Sequence, residues 1–103
     1  MRNKYRAVKT VVDGIKFDSK AEARRYSNLK ILEGVGDISD LELQPRYDLV
    51  INGIKVGFYK ADFRYIQDGD TIVEDVKGMK TPIYNLKKKM IKAIYGIDIL
   101  ETK

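Results

Sequence analysis

At 103 residues the chain has the length of one small domain, whose poor ratio of volume to surface a second copy would improve. An apolar fraction of 44% with seven tyrosines excludes a disordered chain, and a formal net charge of +5, from 20 basic and 15 acidic residues, favours an anionic partner, most commonly nucleic acid. The absence of cysteine and histidine excludes disulfides, thiolate zinc sites and imidazole catalysis, and suits a reducing cytoplasm. Hydrolysis by such a chain has to run on carboxylates, lysine, tyrosine and an oxygen-loving metal.

Residues 1–9 carry Arg2, Lys4, Arg6 and Lys9 and no acid. They read as a basic arm, with Tyr5 and Tyr26 the nearby rings that can stack on a base. No apolar signal region follows this basic start, and no apolar run approaches membrane-spanning length. Asp13-Gly14 lies between β-formers in residues 10–17, a hairpin signal. One domain spans 1–103, with arm and hairpin at 1–17 and core at 18–103.

Ser19-Lys20-Ala21-Glu22 matches a capping box and opens the first helix. Tyr26, Leu29 and Leu32 follow on one stripe, flanked by Ala23 and Ile31, and helical spacing puts Glu22 on that stripe as well. Gly34 and Gly36 end the helix. Residues 41–51 read as a strand with an irregularity or an edge at Pro45. Asn52-Gly53 signals a type I′ hairpin, with residues 54–66 as the returning strand. Alternation places Tyr59, Ala61, Phe63 and Tyr65 on one face of it, and Lys60, Asp62 and Arg64 on the other.

After the turn Asp68-Gly69-Asp70, residues 71–77 complete an antiparallel meander. Alternation here sets Thr71, Val73, Asp75 and Lys77 against Ile72, Glu74 and Val76, and Glu74 reads as a solvated or sheet-face residue. Thr81-Pro82 opens the second helix, threonine as cap and proline at the first helical position. Ile83, Leu86, Met90 and Ala93 or Ile94 form its apolar stripe, Lys87, Lys88, Lys89 and Lys92 cover much of the rest, and Gly96 stops it. Residues 97–100 make a last strand, parallel to 71–77 through a right-handed crossover. The predicted fold is α/β (α+β): a short N-terminal hairpin, then α-β-β-β-α-β with a mixed sheet flanked by helices.

Cleaving a phosphodiester takes an activated water and neutralisation of charge on the phosphate. Carboxylates holding Mg²⁺ do both, and a nearby lysine steadies developing negative charge. Asp75 and Lys77 share a face, and Asp62 lies on the neighbouring strand. The plainer reading of Asp75 and Lys77 is an exposed ion pair, of Asp62 a solvated residue, and of Glu22 the capping box alone.

Asp62, Asp75-Val76-Lys77 and Glu22 together resemble the PD-(D/E)XK nuclease superfamily. Phe17-Asp18-Ser19-Lys20-Ala21-Glu22-Ala23, Leu43-Gln44-Pro45-Arg46-Tyr47, Tyr59-Lys60-Ala61-Asp62-Phe63 and Glu74-Asp75-Val76-Lys77-Gly78 are similar to segments of small phage-encoded endonucleases related to Holliday-junction resolvases. Lys4-Tyr5-Arg6-Ala7 adds a fifth such segment. The resemblance implies a restriction-endonuclease-like core. It makes Asp62 and Asp75 metal ligands, Glu22 a helix carboxylate at the metal or its water, and Lys77 the lysine at the scissile phosphate. Ala61 stands where the name-giving proline would be, and Asp75 replaces the commoner glutamate. Gln44 is a possible site neighbour, or only a residue satisfying the irregularity at Pro45.

The implied function is Mg²⁺-dependent DNA cleavage, with Mn²⁺ a possible substitute, on branched or recombining phage DNA in the host cytoplasm. Two cuts in a four-way junction imply a homodimer. Arg2, Lys4, Arg6, Lys60, Lys80, Lys87 and Lys88 are candidate contacts to the DNA backbone. The alternative is a basic binding module that cuts nothing. Against it, Asp62 and Asp75 side by side repel phosphate unless a cation intervenes.

Overall fold

The computed structural model describes residues 8–103; Arg2, Lys4, Tyr5 and Arg6 of the basic arm lie outside the described residues. Strands β1 (Thr10–Val12) and β2 (Ile15–Phe17) pair across Asp13-Gly14. Both turn residues take positive φ, 53° and 75°, as a type I′ turn requires. Helix α1 (Lys20–Gly34) begins where Ser19 Oγ accepts the Glu22 N–H at 3.1 Å. Its buried stripe is Glu22, Ala23, Tyr26 and Leu29, so the carboxylate does share the apolar face.

Strands β3 (Ser39–Leu43), β6 (Phe63–Gln67), β7 (Asp70–Val76) and β8 (Leu100–Thr102) form a mixed sheet in the order β3-β6-β7-β8. Only β8 runs parallel to its neighbour, as the crossover through helix α2 (Pro82–Tyr95) predicts. The last strand starts at Leu100, later than expected, and Ile99 before it is buried. Strands β4 (Arg46–Ile51) and β5 (Ile54–Lys60) form a separate hairpin sheet. The fold is thus an α+β domain with a mixed sheet and two helices.

Two expected strands are each broken in two. Residues 41–51 part at Gln44-Pro45, and residues 54–66 part at Ala61-Asp62. The breaks face each other: Gln44 N–H donates to the Asp62 carbonyl at 3.0 Å, and Ala61 N–H to the Pro45 carbonyl at 3.1 Å. Pro45 has no N–H to offer a ladder, and Gln44 sits at φ 52°, so β3 cannot run straight into β4. The partner strand bends with it.

Alternation therefore resets at Asp62. Tyr59 and Ala61 join the core cluster that holds Leu49, Val73, Tyr84, Ile91 and Ile99. Phe63 and Tyr65 join the opposite cluster, with Phe17, Ala23, Tyr26, Leu29 and Ile38. The single face expected for these four aromatic and small residues is split between the two layers.

Helix α2 turns a different stripe inward from the one expected. Tyr84 and Ile91 are buried and Met90 and Ile94 half-buried, whereas Ile83 and Leu86 are 62% and 55% exposed and Ala93 is exposed too. Tyr84 faces inward because its hydroxyl donates to Glu101 Oε2 at 2.7 Å and its ring lies under Lys77. That anchors the helix rotation and leaves Ile83 and Leu86 in solvent.

Glu74 is not solvated. Its parity is as expected, on the α1 side, but it is fully buried. Arg25 grips it bidentately, Nε to Oε2 at 2.7 Å and Nη2 to Oε1 at 3.0 Å. The Tyr65 hydroxyl donates to Oε1 at 2.7 Å and the Thr102 hydroxyl to Oε2 at 2.9 Å. Every oxygen of a carboxylate with no access to water is satisfied, and α1, β6, β7 and β8 are tied by one group. Removing one partner of such a pair leaves a bare buried charge. Arg25→Ala is expected to lower stability by about 3 kcal/mol or more in urea denaturation, with Arg25→Ala/Glu74→Gln losing less.

Candidate active site

The strand break makes the site. Asp62 is the first residue past it, and its N–H reaches both the Glu74 carbonyl and Asp75 Oδ1, each at 3.1 Å. With β5 swung away, the side chain of Asp62 acts where a strand partner would have stood. Its Oδ2 accepts the Val76 N–H at 2.7 Å. Asp75 is 1% exposed; besides the Asp62 N–H, it accepts the Tyr59 hydroxyl at Oδ2. Lys77 Nζ lies 4.0 Å from the same Oδ2 and 4.3 Å from the centre of the Tyr84 ring.

Glu22 comes to this point from the first turn of α1 and meets the Asp62 carboxylate in a hydrogen bond. Two carboxylates can bond only across a shared proton. The pair holds that proton more tightly than isolated carboxyls do: Glu22 is pushed up to about 7, first by burial and then by the negative charge of Asp62. Burial also raises Asp62, against the opposing pull of the Val76 N–H and Lys77. Asp75 rises to about 6, again mainly by burial, with Lys77 acting the other way. Exposed Asp18 adds negative charge beside Glu22 while its backbone supports the Glu22 carboxylate.

The sequence-predicted residues Glu22, Asp62, Asp75 and Lys77 are thus linked in a chain around the strand break, Glu22 to Asp62, the Asp62 amide to Asp75, and Asp75 to Lys77. Gln44 contributes through its backbone bond to Asp62, and its side chain is exposed. The predicted cations are more dispersed. Lys80 and Lys88 both pair with Glu101, at 2.9 and 3.2 Å. Lys87 lies half-buried on the inward stripe of α2, its ammonium 5.4 Å from the Phe58 ring, and Lys60 is exposed. Sequence reasoning missed Tyr59, Tyr84 and Glu101. A buried tyrosine hydroxyl always seeks a partner, but which carboxylate it finds is decided by the strand break.

Among the described residues, no three acidic side chains stand arranged around one point to hold a metal ion. Glu22 and Asp62 face each other, while both oxygens of Asp75 are engaged by Asp62 and Tyr59. That donor set fits Mg²⁺, which uses one or two carboxylates and completes its shell with water and substrate phosphate. A hard dication would displace the proton shared by Glu22 and Asp62.

These groups sit on an α+β domain whose mixed sheet is covered by one helix on each side. The chain belongs to the family described as "Protein of unknown function (DUF1064)", whose model matches residues 2–100. No curated protein matches it. Among the described residues, no helix is long and apolar enough to cross a membrane.

The raised carboxyls carry a pH signature. In the metal-free protein the folded state binds the Glu22 proton more tightly than the unfolded chain, whose glutamates titrate near 4.5. This stabilisation is complete below pH 4.5 and is lost as pH climbs through about 7; Asp75 works in the same direction up to about 6. Thermal melts in EDTA are expected to fall across that window, and Glu22→Gln, which keeps a donor toward Asp62 without a charge, should flatten the decline. Equal slopes for both proteins would remove Glu22 from the pair.

Proposed function

We propose that this protein is a Mg²⁺-dependent DNA endonuclease, able to use Mn²⁺, that cuts branched or recombination-intermediate DNA such as the four-way junctions formed in phage replication. The chain of contacts from Glu22 through Asp62 and Asp75 to Lys77 at one strand break supports this reading most. Buried acids facing one another are costly in a module that only binds polyanions, since each repels phosphate. They become useful once a dication joins them to a phosphodiester.

Glu22 and Asp62 would hold the ion, with Asp75 beside them. Bound Mg²⁺ supplies Lewis acidity toward a phosphoryl oxygen and makes its water more acidic. Lys77 is fixed by Asp75 and the Tyr84 ring, so its ammonium is oriented before substrate arrives and can stabilise charge on the phosphate. Tyr59 and the Asp62 N–H hold Asp75 in one rotamer. Water attacks phosphorus, one P–O ester bond breaks, and the departing oxygen takes a proton.

The mixed sheet with its parallel last strand and a helix on each side supports a restriction-endonuclease-like core. Two cuts in opposite strands of a junction call for a two-fold dimer. A chain that lacks cysteine and acts on replicating phage DNA belongs in the host cytoplasm.

Cleavage of supercoiled plasmid and four-way-junction DNA should require Mg²⁺ or Mn²⁺ and stop with EDTA. Asp62→Ala and Lys77→Met should each slow it by about 100-fold or more, with junction binding preserved. Asp62→Ala cutting as fast as wild type would overturn the assignment. Binding without cutting by wild type under every metal condition would make the chain a binding module. Millimolar Mg²⁺ should also raise the melting temperature of wild type at neutral pH and leave that of Asp62→Ala unmoved.

A further inference from the structure

The β4–β5 hairpin has one face against α2 and one face bare. Leu49 and Tyr59 point to the α2 core and Tyr47 packs at its margin. Arg46, Asp48, Phe58 and Lys60 alternate with them and occupy the other face, paired Arg46 with Lys60 and Asp48 with Phe58. Among the described residues no layer covers that face, and Phe58 is 38% exposed at its centre.

A lone exposed phenylalanine is ordinary, but this ring is attended by cations from two elements. The Arg46 guanidinium lies 4.0 Å from the ring centre and the Lys87 ammonium, arriving from α2, 5.4 Å. Lys60 stands across the ladder from Arg46. The one acid on the face, Asp48, is contacted by Arg46 at 3.5 Å and Lys55 at 3.4 Å, both loose pairs with half-exposed partners. A guanidinium plane laid over an aromatic ring, with ammonium groups beside the pair, matches a nucleotide: the stacked Arg46–Phe58 plane for a base and the cations for its phosphate. It does not match duplex DNA, whose bases are already stacked.

We propose that Phe58, with Arg46, Lys60 and Lys87, forms a stacking platform for an unpaired base of single-stranded or branched DNA. The inference rests on the endonuclease reading and says how such an enzyme would prefer branch points over plain duplex. A base splayed from the junction would lie on Phe58 and Arg46 while its flanking phosphates meet Lys60 and Lys87.

The test uses the full chain carrying Asp62→Asn, which should bind without cutting, and a forked DNA with 2-aminopurine in its single-stranded arm beside a fully paired duplex of the same sequence. Binding should change the fluorescence of the forked probe. Phe58→Ala should abolish that change and weaken fork binding by roughly 5- to 100-fold, while duplex binding stays close to the parent; Phe58→Trp should retain the signal. Arg46→Gln, which keeps the apolar ring, should weaken fork binding as well. Equal fork binding by parent and Phe58→Ala, in a protein whose Asp62-intact form cuts junctions, overturns the platform and leaves the endonuclease standing. Failure of that intact form to cut overturns the endonuclease reading itself. Sedimentation in which Phe58→Ala turns a dimer into a monomer would assign the face to a second copy and also overturn the platform.

Discussion

The hydrogen bond from the Val76 N–H to the Asp62 carboxylate is the hinge of this structure. It exists because β5 turns away from β7 at Ala61, and it compensates for that departure. A backbone donor inside a protein must find an acceptor, and here an acidic side chain provides it. The same residue uses its own N–H to hold Asp75. One kink thereby fixes two carboxylates without help from any loop, on strands that the core keeps rigid.

Strand β7 divides its labour by parity. Glu74 looks toward α1 and is saturated by Arg25, Tyr65 and Thr102. Asp75 looks toward α2 and is left with a lysine near and two neutral donors on it. Both are almost inaccessible to water. The first is a fully compensated charge and so serves cohesion. The second has no bidentate cation of its own; burial shifts its carboxyl up, and the local field still invites positive charge.

Much of this was legible in the chain. Ser19, Thr81 and Gly96 mark helix ends by chemistry that is local, and all three act as caps. The Asp13-Gly14 and Asn52-Gly53 turns follow from the left-handed conformations they tolerate. Glu22 on the buried stripe and the shared parity of Asp75 and Lys77 came from periodicity. The break at Ala61-Asp62 did not, because neither residue interrupts a strand and the alternation runs through them. Its cause sits in the partner strand, at Pro45. The inward stripe of α2 was ambiguous for a similar reason: Ile83 and Leu86 are as well spaced as Tyr84 and Ile91, and only Glu101 and Lys77, both outside the helix, choose between them. Glu74 needed Arg25, 49 positions away.

The adjacency of Glu74 and Asp75 carries a lesson for how the chain reaches this state. A strand that slides by a single position exchanges its two faces. Here a slip one way would bring Asp75, one methylene shorter, to the guanidinium of Arg25 and Val76 to the niche between Tyr59 and the Asp62 amide; a slip the other way would bring Glu74 to that niche and Val73 to Arg25. Both compartments would reject the misplaced guest. The difference of one methylene between neighbouring acids thus works as a vernier, and the molecule can settle only in the alignment that puts each carboxylate where it belongs.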